Sequence, residues 1–247
     1  MDKIFTLALK FTDPVDSLRG LQFTETGKGV TAKIADKETA SVFYLRTISD
    51  FDPTAKVPIW MRRRIEKMGM RSISLVVDIT NYVMLELGQP LHAFDKTKIS
   101  GGLTIKRAGK SQKFVTLDGQ ERTLDPDDLM VCDDKQPLAL AGTMGGLFSE
   151  ITATTTDIAL EAVRFDPVCV ARNSRRHKLS SEASRRLERS VDPSLAEFAS
   201  ARFVQLLTSH SSAKHVATVV DGKPKFSPVI TLDPTYIPAL LGFEISW

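Results

Sequence analysis

The stretch TTTDIALEAVRFDP, residues 154–167, joins a predicted strand to a predicted helix. Its middle is a short apolar run with alternating faces, bounded by polar residues, which is typical of a β-strand. Asp166 can accept a hydrogen bond from a free backbone N–H of the next helix, and Pro167 suits the first helical position. At this point the chain is therefore predicted to pass from a β-rich middle to helices.

Glu161 is the most unusual residue of this strand. The alternation places it on the same face as Ala159 and Val163. A carboxylate in that position lies either on a solvated face or in a pocket where another group hydrogen-bonds it. Because Glu is rarely buried, the pattern alone favours the solvated face.

Two helices are predicted before the β-rich middle. The first lies in VPIWMRRRIEKMG, residues 57–69, and the second in RSISLVVDITNYVMLELGQP, residues 71–90. Gly88 and Pro90 end the second helix, whose β-branched first half leaves a strand as the alternative. The apolar stripe of the first helix consists of Met61, Ile65 and Met68.

The middle of the chain reads as short strands, and helices dominate again from residue 167 to about residue 209. Asp118-Gly119 is a strong hairpin signal, and Asp192-Pro193 repeats the predicted helix cap. Helices around a β-rich middle predict an α+β fold: a core of mixed or antiparallel sheets, barrel-like and layered, flanked by helices. The other predicted strands are LTIKRA (103–108), LMVCDD (129–134), PLALAG (137–142) and HVATVVDG (215–222).

Composition limits the possible partners. The chain has 247 residues and a net charge of +3, too small for a protein that coats polyanions, so RNA binding would need local clusters. Cys132 and Cys169 have no metal-ligand spacing, which predicts free thiols in a reducing compartment. No apolar run approaches membrane-spanning length. We therefore expect a cytoplasmic protein without metal, membrane or DNA partners.

Residues 172–189 form a basic cluster, with seven Lys or Arg against two Glu. Glu182 lies at helical spacing from two of the arginines, so a solvated helix with ion pairs explains the segment without a ligand. Arginine also suits phosphates, which it binds with two parallel hydrogen bonds. Arg175, Arg176, Arg185 and Arg186 are the candidates for such phosphate contacts.

His92 lies in LGQPLHAFD, residues 87–95, on a segment expected to be irregular. A turn histidine bonded to the backbone is commoner than a catalytic one, but this turn could fold His92 back towards Thr80 and Asn81. ALAGTMGG, residues 139–146, is a second ambiguous segment. Its glycines allow a close backbone approach to a ligand, yet taken alone they favour a turn.

Five motifs, in this order and at these separations, resemble the editing module of the bacterial phenylalanyl-tRNA synthetase beta subunit. They are VVDITNYVMLELGQPLHAFD, TLDGQERTLDPDDL, LALAGTMGG, LEAVRFDP and RRHKLSSEASRRLERSVDP. The resemblance implies an editing domain at 41–224, after a poorly defined segment at 1–40. Residues 225–247 resemble the start of the next module of that subunit.

The family resemblance implies hydrolysis of tyrosine wrongly esterified to tRNA(Phe), in a heterotetramer with the synthetase alpha subunit. An apolar pocket for phenylalanine rejects an added hydroxyl only about a hundredfold, so a second sieve is needed. Editing itself would need no cofactor, because ATP and magnesium act outside this segment. The alternative is a non-enzymatic tRNA-binding or subunit-interface module of the same synthetase.

The resemblance also implies roles for individual residues, and it makes Arg175, Arg176, Arg185 and Arg186 the predicted tRNA-binding arginines. Glu161 aligns with the glutamate that recognises the phenol hydroxyl, and Gly145 with a glycine whose backbone helps. Ser181 and Ala183 align with the far side of the pocket, where threonine is more usual in place of Ser181. The family's usual Phe and Gly are replaced by Leu187 and Ser190, changes expected to affect helix packing more than the site.

His92, Asn81 and Thr80 match polar residues near the aminoacyl ester. Water is expected to attack the ester carbonyl while His92 and Asn81 hold the ribose end. His92 either acts as a general base or positions the water, with no covalent intermediate.

Overall fold

The computed structural model describes Leu18, residues 20–224, Asp233 and residues 235–243. The predicted start of a next module, residues 225–247, therefore lies largely outside the described residues. The helices are α1 (Ile59–Lys67), α2 (Leu75–Leu87), α3 (Pro167–His177), α4 (Glu182–Leu187), α5 (Leu195–His210) and α6 (Tyr236–Leu241).

Most strands are short and belong to two larger sheets and one hairpin. A five-stranded sheet has the order β1-β4-β7-β8-β9, a four-stranded sheet has the order β11-β2-β10-β3, and β5 pairs with β6. Only the β1–β4 pair is parallel among the described strand pairs. The strands are β1 (Ala32–Ile34), β2 (Ala40–Ser49), β3 (His92–Asp95), β4 (Leu103–Arg107), β5 (Lys113–Val115), β6 (Glu121–Thr123), β7 (Leu129–Cys132), β8 (Pro137–Leu140), β9 (Met144–Gly145), β10 (Ile158–Phe165) and β11 (Lys214–Gly222).

The two larger sheets pack face to face, and helices cover the outer face of the four-stranded one. The inter-sheet core joins Phe43 and Phe94 to Ile105 and Val131, one pair from each sheet. A second core lies under α1, α2 and α5 and receives Leu160 from β10. The layered α+β prediction is confirmed, but the sheets stay open, and none closes into a barrel in the described part of the chain.

The helix α2 follows from local signals, as the sequence predicted. The Ser74 side chain accepts a hydrogen bond from Val77 N at the start of the helix. Gly88 ends it in the left-handed region at φ 80°, a conformation that favours glycine. The strand alternative for its first half is therefore excluded.

Three local predictions need correction. Met68 is exposed rather than part of the buried stripe of α1. His92 begins β3 instead of lying on an irregular segment, because its backbone pairs with β10. The Asp192 carboxylate accepts hydrogen bonds from Ser194 and caps no helix, since α5 begins only at Leu195.

Asp166 and Asp192 were both predicted to cap a helix, but only Asp166 does so. The pair therefore allows a controlled test. Asp166 accepts a hydrogen bond from Cys169 N and caps α3. We expect Asp166→Ala to lower the free energy of unfolding by about 1 kcal/mol, a typical cost of losing an N-cap. The matched variant Asp192→Ala should cost clearly less in the same chemical denaturation. Equal losses would contradict the assignment of the caps.

Candidate functional site

The pairing of β10 with β3 brings Glu161 and His92 together. The two are direct partners across the antiparallel pair, so their side chains leave the same face of the sheet, with Cβ atoms roughly 5 Å apart. That face carries Ala159 and Val163, which belong to the inter-sheet core. A residue on one strand is thereby placed beside a residue about seventy positions earlier in the chain.

The Glu161 carboxyl is buried without a compensating partner. The residue is 6% exposed, and its Oε2 atom has no hydrogen bond. Its cross-strand neighbours are Leu45 on one side and His92 on the other. Burial raises the pKa of this carboxyl to about 8, because the charged form loses its hydration. The alternative of a solvated strand face is therefore excluded.

The His92 ring lies against the edge of the other sheet. It stacks edge-on against Phe94, with ring centroids 4.4 Å apart. A Cβ atom added at Gly145, on the edge strand β9, would lie 2.4 Å from His92 Cε1 and 2.7 Å from Nε2. Only glycine permits this approach without moving the ring. Burial lowers the pKa of His92 to about 4, so both His92 and Glu161 are neutral near pH 7.

A narrow cavity opens where these two sheet edges meet. It offers about 70 Å³ for the centres of water-sized molecules, several times the roughly 10–15 Å³ that one water needs. Its wall is mostly apolar, with the Glu161 carboxyl, the His92 ring and a few backbone groups as polar features. The lining residues include Pro90, Leu91, Leu140, Thr143, Met144 and Phe165.

The helix α4 closes the cavity with Ala183 and Leu187. Ser181 does not line the cavity; it fixes α4 in place. Its hydroxyl donates to the carbonyl of Thr143 at 2.9 Å and accepts from Ser184 N at 3.0 Å. Ser181 therefore ties α4 to the cavity wall.

The two departures from the family pattern have different consequences. Leu187 packs in the inter-sheet core, as expected, and it also lines the cavity. Ser190 has φ 69°, a left-handed conformation that glycine adopts without strain. The glycine usual at this position thus has a direct backbone reason.

Thr80 and Asn81 are not brought into this cavity. Both are half-buried on α2, and neither is among the residues that line it. The Thr80 hydroxyl donates to the Val77 carbonyl within its own helix. Their predicted place near the ester stays a prediction.

The predicted tRNA-binding arginines are mostly engaged in ion pairs. Arg176 contacts the buried Asp128, and Glu182 pairs with Arg185 at 3.2 Å and with Arg186 at 2.6 Å. Arg175 is exposed and has no carboxylate within 4 Å among the described residues. These pairs leave less free positive charge on α3 and α4 than the sequence indicates.

The sequence reasoning missed most of the apolar wall, including Leu140, Thr143 and Phe165. The ALAGTMGG segment contained the available signal. Its turn lies at residues 141–143, and Gly145 follows on β9. The segment therefore forms a turn and also lines the cavity. No group of three His, Cys, Asp or Glu side chains suited to a metal occurs among the described residues.

Comparison with known proteins identifies the family. The model of the B3/4 domain matches residues 39–212, well over half of the chain. The chain belongs to the B3/4 domain family. Within the described residues, no helix is both long and apolar enough to cross a membrane.

The chain is similar to phenylalanine–tRNA ligase beta subunits. That of Streptomyces avermitilis is 48% identical over 87% of this chain and 26% of its own length. Those of Thermobifida fusca and Leifsonia xyli are 46% and 49% identical over 94% and 85% of this chain. The chain thus spans about a quarter of these relatives' length.

A solved N-terminal fragment of the phenylalanyl-tRNA synthetase beta subunit from Pyrococcus horikoshii is 12% identical to this chain. It covers 91% of this chain and 63% of its own, with a TM-score of 0.49. This TM-score is too low to establish a shared fold.

The close approach of His92 to Gly145 can be tested with a double-mutant cycle. We expect Gly145→Ala to displace the imidazole ring into the cavity and to lower ligand binding and any hydrolysis there. In a His92→Ala background only the contact with Leu117 Cδ1 at 3.1 Å remains, at the end of a flexible side chain, so the same substitution should cost much less. Thermal unfolding checks that each variant is folded. An equal cost of Gly145→Ala in both backgrounds would contradict the steric account.

Proposed function

We propose that the cavity removes tyrosine from mischarged tRNA(Phe) by hydrolysing the aminoacyl ester. The observation that carries the proposal is the Glu161 carboxyl, buried at an apolar wall with an unpaired Oε2 atom. A neutral carboxylic acid offers one donor and one acceptor. A phenol hydroxyl can bond to both, whereas a phenylalanine ring leaves them unpaired.

The difference in binding free energy between tyrosine and phenylalanine is large enough for a second selection step. Leaving one neutral buried polar group unpaired costs roughly 1–3 kcal/mol, and sites that hydrogen-bond a hydroxyl discriminate more strongly than apolar pockets. The backbone near Gly145, opposite His92, is close enough to contribute a further polar contact. Tyrosine is therefore bound and phenylalanine is rejected.

His92 is the group best placed to hold the attacking water. As a whole residue, His92 is more exposed than Glu161. Water attacks the ester carbonyl, its proton leaves through His92 or the solvent, and the tRNA 3′ end departs with its hydroxyl restored. A ring with a pKa of about 4 is a weak base at pH 7, so orientation of the water by the free ring nitrogen contributes more than proton abstraction.

The matches to beta subunits extend the proposal to the assembly. We propose that the chain acts within a phenylalanine–tRNA ligase, with an alpha subunit as partner and tRNA(Phe) as substrate, in the cytoplasm. A module that only binds tRNA or a subunit is the second candidate. The ion-paired arginines of α3 and α4 support such a role weakly.

The proposal is tested by deacylation of Tyr-tRNA(Phe) and Phe-tRNA(Phe), with the chain and with a ligase that contains it. Glu161→Ala should lower the preference for Tyr over Phe roughly tenfold to a hundredfold. Glu161→Gln, which stays neutral and keeps a donor and an acceptor, should retain most of it. His92→Ala should lower kcat more than it raises KM.

The pH dependence supplies an independent check. Because the pKa of Glu161 is raised to about 8, its acid form persists below that pH and is lost as the pH rises through it. The preference for tyrosine should therefore fall above about pH 8 in the wild type and stay constant in Glu161→Gln. If the ligase binds tRNA but hydrolyses Tyr-tRNA(Phe) only at the background rate, the proposed editing function is contradicted. The chain would then be a module that only binds tRNA or a subunit.

A further inference from the structure

A second surface carries basic side chains that form no ion pair with a described carboxylate. It is a groove of about 770 Å³ between α1 and the segment that leads into α2. Lys56, Arg62 and Arg71 line it together with a single acidic residue, Glu66. We call this surface the α1–α2 groove.

The charges of this groove differ from those of α3 and α4. The side chains of Lys56, Arg62 and Arg71 have no carboxylate within 4 Å and no hydrogen bond among the described residues, and all three residues are exposed. Arg63 and Lys67 on α1 are likewise exposed and unpaired in the described part of the chain. Clustered cations repel one another, so such a surface is favoured when a polyanion neutralises it.

An aromatic side chain on the same helix, outside the residues that line the groove, supports RNA rather than an acidic peptide as the ligand of this region. Trp60 on α1 is 40% exposed, and the Arg64 guanidinium lies over its ring at 5.3 Å. The Tyr82 hydroxyl accepts a hydrogen bond from Arg64, which holds the pair in place. Exposed aromatic rings beside arginines offer stacking surfaces for nucleotide bases.

We propose that the α1–α2 groove binds the phosphodiester backbone of an RNA whose aminoacylated 3′ end occupies the cavity at His92 and Glu161. This inference rests on the proposed function for the identity of the RNA. The groove includes Leu75, the first residue of α2, and the cavity includes Pro90, which follows the last turn of the same helix. A helix of 13 residues is about 20 Å long.

An RNA strand that follows α2 from the cavity to the groove must span the length of this helix. At about 3.4 Å per stacked nucleotide, a strand needs roughly six nucleotides to span the distance from the cavity. The groove therefore contacts the RNA inside its terminal helix and leaves the last three nucleotides untouched. A short aminoacylated fragment should be indifferent to the groove.

The test measures binding of uncharged tRNA(Phe) to the 247-residue chain by fluorescence anisotropy at increasing salt. The variant Arg62→Glu/Arg71→Glu should bind roughly tenfold or more weakly, and its log–log salt slope should fall by roughly 0.7–0.9 for each lost phosphate contact. The control Lys106→Glu/Lys110→Glu changes the net charge equally on exposed residues outside the groove and should have little effect. Equal weakening in both variants would overturn the proposal.

A second measurement separates this inference from the proposed function. If Tyr-tRNA(Phe) is hydrolysed, the groove variant should raise KM for the full tRNA and leave hydrolysis of a tyrosylated trinucleotide unchanged. If no hydrolysis occurs at all, the proposed function fails while the binding result still decides the groove. Tighter binding of polyglutamate than of tRNA would contradict the RNA assignment and mark a protein-docking surface.

Discussion

The antiparallel register between β10 and β3 is the constraint on which the site depends. It sets Glu161 directly opposite His92 and beside Leu45, on the face that closes against the second sheet. A shift of one residue would turn Glu161 towards the helices and remove it from the cavity. Buried apolar neighbours on that face, Ala159 and Val163, help to hold the register, because a one-residue slip would exchange them with residues that pack under the helices, such as Leu160.

The carboxyl group that this register buries is tolerated because it is neutral. Ionised, Glu161 would carry an uncompensated charge into an apolar layer; neutral, it costs only an unpaired hydrogen-bonding group. That group is the source of selectivity in the proposed function, because a ligand hydroxyl supplies the missing partner. His92 shares the constraint: its ring fits only because Gly145 has no side chain. The unpaired buried carboxyl lowers stability at the position where the proposed recognition of a hydroxyl occurs.

Local chemistry made the elements predictable, whereas the site depended on contacts distant in sequence. The strand at β10, the Asp166 cap and the Asp118-Gly119 hairpin follow from neighbouring residues alone. The burial of Glu161 does not, since it requires β3 and the second sheet. Nor does the pairing of Arg176 with Asp128, which lies 48 positions away. The family resemblance singled out Glu161, Gly145 and His92 where the pattern of residues favoured ordinary strand and turn roles.

The most direct measurement is the titration of the Glu161 carboxyl itself. Difference infrared spectroscopy between the chain and its Glu161→Gln variant, from about pH 5 to about pH 10, isolates its C=O band. A band of the protonated acid that persists at neutral pH and disappears with a midpoint near 8 is the predicted result. A carboxylate already present at neutral pH, with a midpoint near the ordinary 4.5, would contradict the account of a neutral acid that recognises a hydroxyl.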